Sequence, residues 1–308
     1  MKRVVFLVGP TAIGKTEVAL RLAKRINAEI ISCDSMQVYR EMNIISDKPS
    51  LAQRRTIPHY LIDEVSVQRR FSVADYQRKA QEAIKRIHQK GKVALVVGGA
   101  GLYMQVLLDG IFSQNKKDIL TREKLYRQAK RFGNIYLYNR LMKVDPRAAS
   151  KIHPNDLRRI IRALEVFDTT GAPISKLQKK RHGGILRKFD IKIIGLICDR
   201  DELYRRVNLR VQRMFRKGLV NEVKKLLNKK LSQTASCAIG VKETKDYLMG
   251  KCNLDQVKRQ LKRASRHFAK RQLTWFRKEK RIDWVKILGQ DSPSVIADRL
   301  AVLLSDER

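Results

Sequence analysis

The stretch "LVGPTAIGKT", residues 7–16, decides the fold. Gly9, Gly14, Lys15 and Thr16 satisfy the spacing G-x-x-x-x-G-K-[ST]; the apolar run "VVFLV" (4–8) precedes them and the amphipathic stretch "KTEVALRLAKRI" follows. A strand that turns through a glycine loop into a helix wraps backbone N–H groups around an anion at the positive helix end, where Lys15 adds a point charge and Thr16 a hydroxyl able to ligate Mg2+. The motif specifies phosphate but not nucleotide, since a pyrophosphate on any small molecule presents the same oxygens. An ATP-binding kinase or NTPase is the default alternative.

Outward from this loop, short apolar runs recur between helical patterns: "EIISC" (29–33), "KVALVVG" (92–98), "IKIIGLIC" (191–198) and "WVKIL" (284–288). That alternation predicts an α/β fold, a P-loop-containing parallel sheet flanked by helices. After Gly110 the strands vanish for some 80 residues of charged, helix-favouring sequence. We therefore expect residues 1–111 to form the first part of the core, 112–189 a mainly helical insertion domain, and 190–308 the second part with basic C-terminal helices. The pair Gly183-Gly184 within "KKRHGGILRK" reads as a mobile linker at the far edge of the insert.

Charge narrows the partners. The 308 residues carry 67 Lys+Arg against 30 Asp+Glu, a formal +37, and the excess is uneven: ten basic against seven acidic residues in 1–68, thirteen against three in 251–290. A concentrated basic excess points to a polyanion, whereas a compositional bias would spread it. Cys33, Cys198, Cys237 and Cys252 form no CxxC pair and no histidine lies at ligand spacing, so reduced thiols and no structural zinc are expected. The opening "MKRVVFLVGP" is too short an apolar run for a signal segment and reads as a strand, and no stretch approaches the ~20 apolar residues needed to span a bilayer. A cytoplasmic protein without membrane contact follows as the expectation.

An NTPase also needs an apolar strand ending in a metal-holding Asp, and "EIISCDS" offers Asp34 alone, because "KVALVVGGAGLY" ends in Gly98-Gly99. Asp34 could hold magnesium for phosphoryl transfer or act as a general base beside a bound pyrophosphate, and spacing leaves both open. Further on, Arg206, Arg210, Arg213 and Lys217 recur at intervals of 4, 3 and 4, placing four cations on one helix face opposite Val207, Val211 and Met214. A solvated basic face is the alternative reading of that pattern.

The segments "GPTAIGKT" (9–16), "ISCDSMQVYREMNI" (31–44), "PHYLID" (58–63), "VVGGAGLY" (96–103), "DPRAASKIHPNDLRRIIRALEV" (145–166), "LYRRVNLRVQRM" (203–214), "AIGVKE" (238–243) and "AKRQLTWFR" (269–277), in this order, resemble the tRNA dimethylallyltransferase family, also called tRNA isopentenyltransferases. The resemblance implies transfer of a dimethylallyl group from dimethylallyl pyrophosphate to the exocyclic amine of the adenosine 3′ of the anticodon, with pyrophosphate released and Mg2+ as cofactor. By that carry-over Gly9, Pro10, Thr11, Ala12, Ile13, Gly14, Lys15, Thr16 and Arg210 bind the diphosphate, with Thr16 at the metal. Asp34 takes the amine proton, Thr11 donates to the bridging oxygen, and Arg210 completes the clamp. Asp34, Ser35, Met36, Gln37 and Ala100 meet the target base and its neighbours, Gln37 through its amide, after the base has left the anticodon-loop stack.

The same resemblance places the anticodon stem-loop against Arg158, Arg159, Ile160, Ile161 and Arg162, with Arg122 and Lys242 as further contacts. Along 257–277, Val257, Leu261, Ala264, Phe268 and Trp275 read as a packing stripe, with Arg259, Arg263, Arg266, Lys270 and Arg277 as a cationic one, and Arg263 and Arg266 are assigned to tRNA phosphates. Departures from the usual family pattern are Cys237 for Gln, Val241 for Tyr, Ala100 for Thr, and "IISDKP" (44–49) for "IGTAKP". Besides the P-loop kinase, two readings compete. A free adenine-nucleotide isopentenyltransferase has no use for the basic C-terminal half, and a non-catalytic RNA-binding protein has none for Asp34, Thr11 and Lys15. No heptad argues for a dimer, so a monomer is expected.

Overall fold

A computed structural model describes residues 2–112 and 118–305. The predicted apolar runs are strands β1 (Arg3–Val8), β2 (Ala28–Cys33), β4 (Val93–Gly98), β5 (Asp190–Ile197) and β6 (Asp283–Lys286), joined by a two-residue β3 (His59–Tyr60) too short to leave a periodic signal. All pair in parallel, in the order β3-β2-β4-β1-β5-β6. Val4 to Val8 and all of β2 are buried, as continuous apolar runs covered on both faces must be. On one face Val5, Leu7, Leu95, Ile194 and Leu196 share a core with the helices Lys15–Arg25 and Pro293–Ser305. The Val73–Gln89 helix contributes nothing to that cluster and packs on β2 and β4 from the other side.

The register positions the functional loops. Gly98 of β4 lies opposite both Cys33 of β2 and Val8 of β1, so the segments leaving these strands, Asp34, Gly99 and Gly9, start from one transverse row. Adjacent strands stand ~4.8 Å apart, which puts the starts of the Asp34 loop and the P-loop about 10 Å from each other with β4 between them. The carboxyl ends of such strands are where open α/β sheets bind ligands.

The chain divides into two compact units, one made of residues up to Leu108 and from Ile185 onward, the other Asp109–Gly184. The second therefore starts three residues before and ends five residues before the expected 112 and 189. Ile185 is buried, and the N–H groups of Ile185 and Leu186 donate to the carbonyls of Leu107 and Leu108, which ties 185–189 to the first unit. Asp109 instead pairs with Arg181 inside the second. Part of the expected insert, 113–117, lies outside the described residues.

Within the second unit, helices Ile119–Phe132, Asn134–Val144 and Leu157–Thr170 bury Leu125, Leu137, Leu141, Ile160, Ile161 and Leu164 in a core of their own. The "HPND" stretch caps the last of these: the Asp156 side chain accepts from the Arg159 N–H. Among the described residues no helix is long and apolar enough to cross a membrane.

Candidate active site

A cavity of about 930 Å3 opens at the carboxyl ends of β1, β2 and β4, lined by residues of the first unit. Its phosphate end is the P-loop. Gly14 caps the Lys15–Arg25 helix with φ 98°, a left-handed conformation that a side chain resists, and no side chain occupies the helix N-terminus. The first-turn N–H groups thus remain for an anion, beside Thr11, Ala12, Lys15 and Thr16, which line the cavity. Gly9, Pro10 and Ile13 serve from behind. Lys15 Nζ donates to the carbonyls of Gly9 at 2.9 Å and Pro10 at 2.7 Å, and buried Ile13 offers its carbonyl to Arg206 Nη1 at 3.4 Å. Burial, and then the neighbouring Arg210, push the Lys15 ammonium down to about 7, against the opposing pull of Asp34 and Cys33.

The Arg200–Arg216 helix supplies the second set of cations. Arg210 Nη1 donates to Thr11 Oγ1, and its Nε lies 3.5 Å from the Asp47 carboxylate. Arg213 and Lys217 also line the cavity. Arg206 does not: besides Ile13 it holds Glu202, whose carboxyl is pulled down to about 2 by hydrogen bonds from Arg205 and Arg206. The 4-3-4 rhythm thus lines the cavity from its second member onward.

Across the row, Asp34 ends β2. Its Oδ1 accepts the N–H groups of Met36 at 2.8 Å and Gln37 at 3.3 Å, a turn that fixes the carboxylate at the mouth of the cavity. Ser35, Met36, Gln37 and Ala100 line the same space. Gln37 is the exception to its expected role: its Oε1 already accepts from Ser32 Oγ at 2.8 Å and its Nε2 donates to the Ser46 carbonyl at 3.4 Å, so its amide braces the loop.

Sequence reasoning missed the residue that joins the two sides. Gln272, 8% exposed, accepts the Thr11 N–H on Oε1 at 2.8 Å and donates from Nε2 to the Gly99 carbonyl at 2.9 Å. Gly99 makes room for it, since a Cβ there would lie 2.3 Å from Gln272 Nε2, whereas one on Gly98 would lie 2.0 Å from the Cys33 carbonyl oxygen of the neighbouring strand. The signal was a polar residue at a core-facing position of "AKRQLTWFR". The Leu254–Phe276 helix buries Val257, Leu261, Ala269, Gln272 and Phe276. Phe268 and Trp275, assigned to the packing stripe, instead lie half-buried along the cavity, where with Met36 and Ile45 they make its apolar wall.

The cations assigned to RNA divide by accessibility. Arg263 is exposed, Arg266 is half-buried with its guanidinium 5.7 Å from the centre of the Tyr204 ring, and Lys242 is exposed on the Val241–Leu248 helix. In the second unit Arg158 and Arg159 are exposed, Arg159 lying 3.4 Å from Asp156. Ile160 and Ile161 are 0% and 1% exposed, so the structure corrects their assignment: they hold that unit's core and their side chains cannot touch RNA. Arg122 and Arg162 converge on Glu165, itself 1% exposed, at 2.6 and 3.0 Å, and so neutralise a buried carboxylate.

A family profile described as IPP transferase matches residues 37–279. The match begins beyond the P-loop, but individual relatives extend across it. A tRNA dimethylallyltransferase of Halothermothrix orenii is 43% identical over 96% of this chain and 90% of its own length, and tRNA dimethylallyltransferase 2 of Geotalea uraniireducens is 46% identical over 92% of each. Among solved structures, the full-length tRNA isopentenylpyrophosphate transferase of Bacillus halodurans superposes with a TM-score of 0.73 at 38% identity, covering 99% of this chain and 96% of that one. A eukaryotic dimethylallyltransferase captured acting on tRNA gives 0.83 at 29% identity, covering 100% and 79%. With the P-loop, the Asp34 loop and the Arg210 helix all inside these alignments, the chain belongs to the IPP transferase family, the tRNA dimethylallyltransferases.

Proposed function

We propose that this enzyme transfers a dimethylallyl group from dimethylallyl pyrophosphate to the exocyclic amine of the adenosine 3′-adjacent to the anticodon of tRNA. The observation that carries the reading is the pairing of an anion-binding loop with a carboxylate at the end of a neighbouring strand: the P-loop and Arg210 line one cavity together with Asp34 and with apolar side chains that include Phe268 and Trp275. As the donor's C1–O bond breaks, negative charge grows on the diphosphate. Lys15, Arg210, the Thr11 hydroxyl and the first-turn N–H groups are positioned to stabilise that charge. The amine nitrogen forms the new bond to C1, Asp34 takes the proton the nitrogen loses, and pyrophosphate departs.

Thr16 is the residue that would hold Mg2+. Among the described residues no cluster of three or more acidic, histidine or cysteine side chains can bind a metal, and the Thr16 hydroxyl makes no hydrogen bond. That donor set suits a cation bound mostly by substrate oxygens and water, the usual arrangement for Mg2+. When bound, the ion would neutralise charge on the leaving diphosphate. Exposed Arg158, Arg159, Lys242 and Arg263 would position tRNA through its phosphates, leaving discrimination to the bases near Asp34.

The test is incubation of the protein with Mg2+, dimethylallyl pyrophosphate and unmodified tRNA, with AMP as competing acceptor, followed by nucleoside mass analysis. Prenylated adenosine from tRNA alone is the expected result. Prenylated AMP would assign a free-nucleotide enzyme, and ATP consumption without prenyl transfer would return the P-loop to a kinase.

A further inference from the structure

The stretch "IISDKP" puts a carboxylate, Asp47, against the arginine of the diphosphate clamp. Its placement is enforced from both sides. The Glu222 carboxylate accepts three consecutive backbone N–H groups, Asn43 at 3.0 Å and Ile44 and Ile45 at 2.8 Å, which pins the start of the loop to the Leu219–Leu227 helix. On the other side Lys48, 3% exposed, donates to the carbonyls of Tyr39 and Arg40 and to the side chains of Asn43 and Asp63. Between these anchors Asp47 is in the left-handed region at φ 51°, its N–H bonded to the Ile44 carbonyl at 3.0 Å. Its side chain, 42% exposed, lines the cavity with Oδ2 3.5 Å from Arg210 Nε.

We propose that Asp47 is a built-in competitor at the donor site. It holds Arg210 until a diphosphate arrives, must then yield that guanidinium, and returns to it as pyrophosphate leaves. This rests on the reading of the P-loop and Arg210 as the diphosphate site. One guanidinium edge cannot satisfy a fixed carboxylate and a polyanion together, and the carboxylate repels the ligand wherever it turns. Asp47 therefore weakens retention of donor and product alike and speeds clearance of pyrophosphate after transfer.

The experiment is calorimetric titration of the full-length protein with inorganic pyrophosphate and Mg2+, using wild type, Asp47→Asn, Arg210→Gln and the double variant. Asparagine keeps the volume and tolerates the left-handed backbone, so the substitution removes charge alone. A half-exposed pair of this kind is worth up to about fivefold in an equilibrium, and Asp47→Asn should bind pyrophosphate tighter by about that factor. The gain should largely disappear when Arg210→Gln is already present. Unchanged or weaker binding by Asp47→Asn overturns the proposal, weaker binding being the signature of a cation-holding Asp47. A full gain persisting without Arg210 overturns it too. A wild type that binds no pyrophosphate would instead remove the donor-site reading on which the proposal rests.

Discussion

Lys15 makes the donor site sensitive to pH in a direction that can be worked out in advance. Burial and Arg210 bring its pKa to about 7, whereas a bound diphosphate would restore it toward the ordinary lysine range. If only the ammonium form clamps the ligand, affinity for pyrophosphate falls about fivefold between pH 7 and 8 and about a further tenfold between pH 8 and 9, with one proton taken up per ligand bound at the upper end. Pyrophosphate itself sheds its last proton toward the upper end of this window, so the effect of Lys15 is read as the difference between wild type and a variant that shares the same ligand ionisation. Titration calorimetry in buffers of different ionisation enthalpy reads both the affinity and the proton count. Lys15→Arg keeps its charge throughout, so it should flatten the profile whatever its absolute affinity. Constant wild-type affinity from pH 7 to 9 without proton uptake, or an unchanged slope in Lys15→Arg, would refute the argument. The same shift acts oppositely on stability. Between pH 7 and 10.5 the unfolded chain carries more protons on Lys15 than the folded enzyme, so this residue's contribution to stability rises with pH as donor affinity falls.

Asp34→Asn should lower single-turnover prenyl transfer by about 100-fold or more while leaving tRNA retention on filters nearly unchanged, because a positioned base contributes to the barrier rather than to RNA affinity. Turnover near wild type would remove the base assignment. Gln272→Leu leaves the Thr11 N–H and the Gly99 carbonyl without their partner, which should cost about 1–3 kcal/mol per group in urea unfolding and raise the KM for donor more than that for tRNA. An unaltered donor KM would reduce Gln272 to a packing residue. Arg263→Gln with Arg266→Gln should flatten the dependence of log K on log salt for tRNA binding by about one to two units. An identical slope would leave both side chains as solvated surface.

The strands and the P-loop were legible because each has a local signature: continuous β-branched runs, and glycines whose spacing answers to one backbone geometry. The carboxylate at Asp34 was legible as a residue, though its place opposite the P-loop depends on the strand order, since β4 inserts between β1 and β2 only in three dimensions. Phe268 and Trp275 do lie on the face read as packing, but along this half of the helix that face borders the cavity, and a 3.6-residue period cannot tell a cavity wall from a core because both are apolar. Ile160 and Ile161 show the converse. The resemblance implied a contact segment as a block, whereas the helix alternates buried isoleucines with exposed arginines. Gln272 and Glu222 act through partners 261 and about 180 residues away in the chain, and no local pattern announces such pairs.

Because the P-loop and the Asp34 loop leave the sheet from the same row, with one strand between them, the span from the P-loop to Asp34 is set first by hydrogen-bonded strand spacing. The sheet edge acts as a fixed ruler. Point substitutions cannot lengthen it, so a change in the size of the transferred group would have to come from recutting the walls at Phe268, Trp275, Met36 and Ile45, with the two ends of the reaction left where they stand.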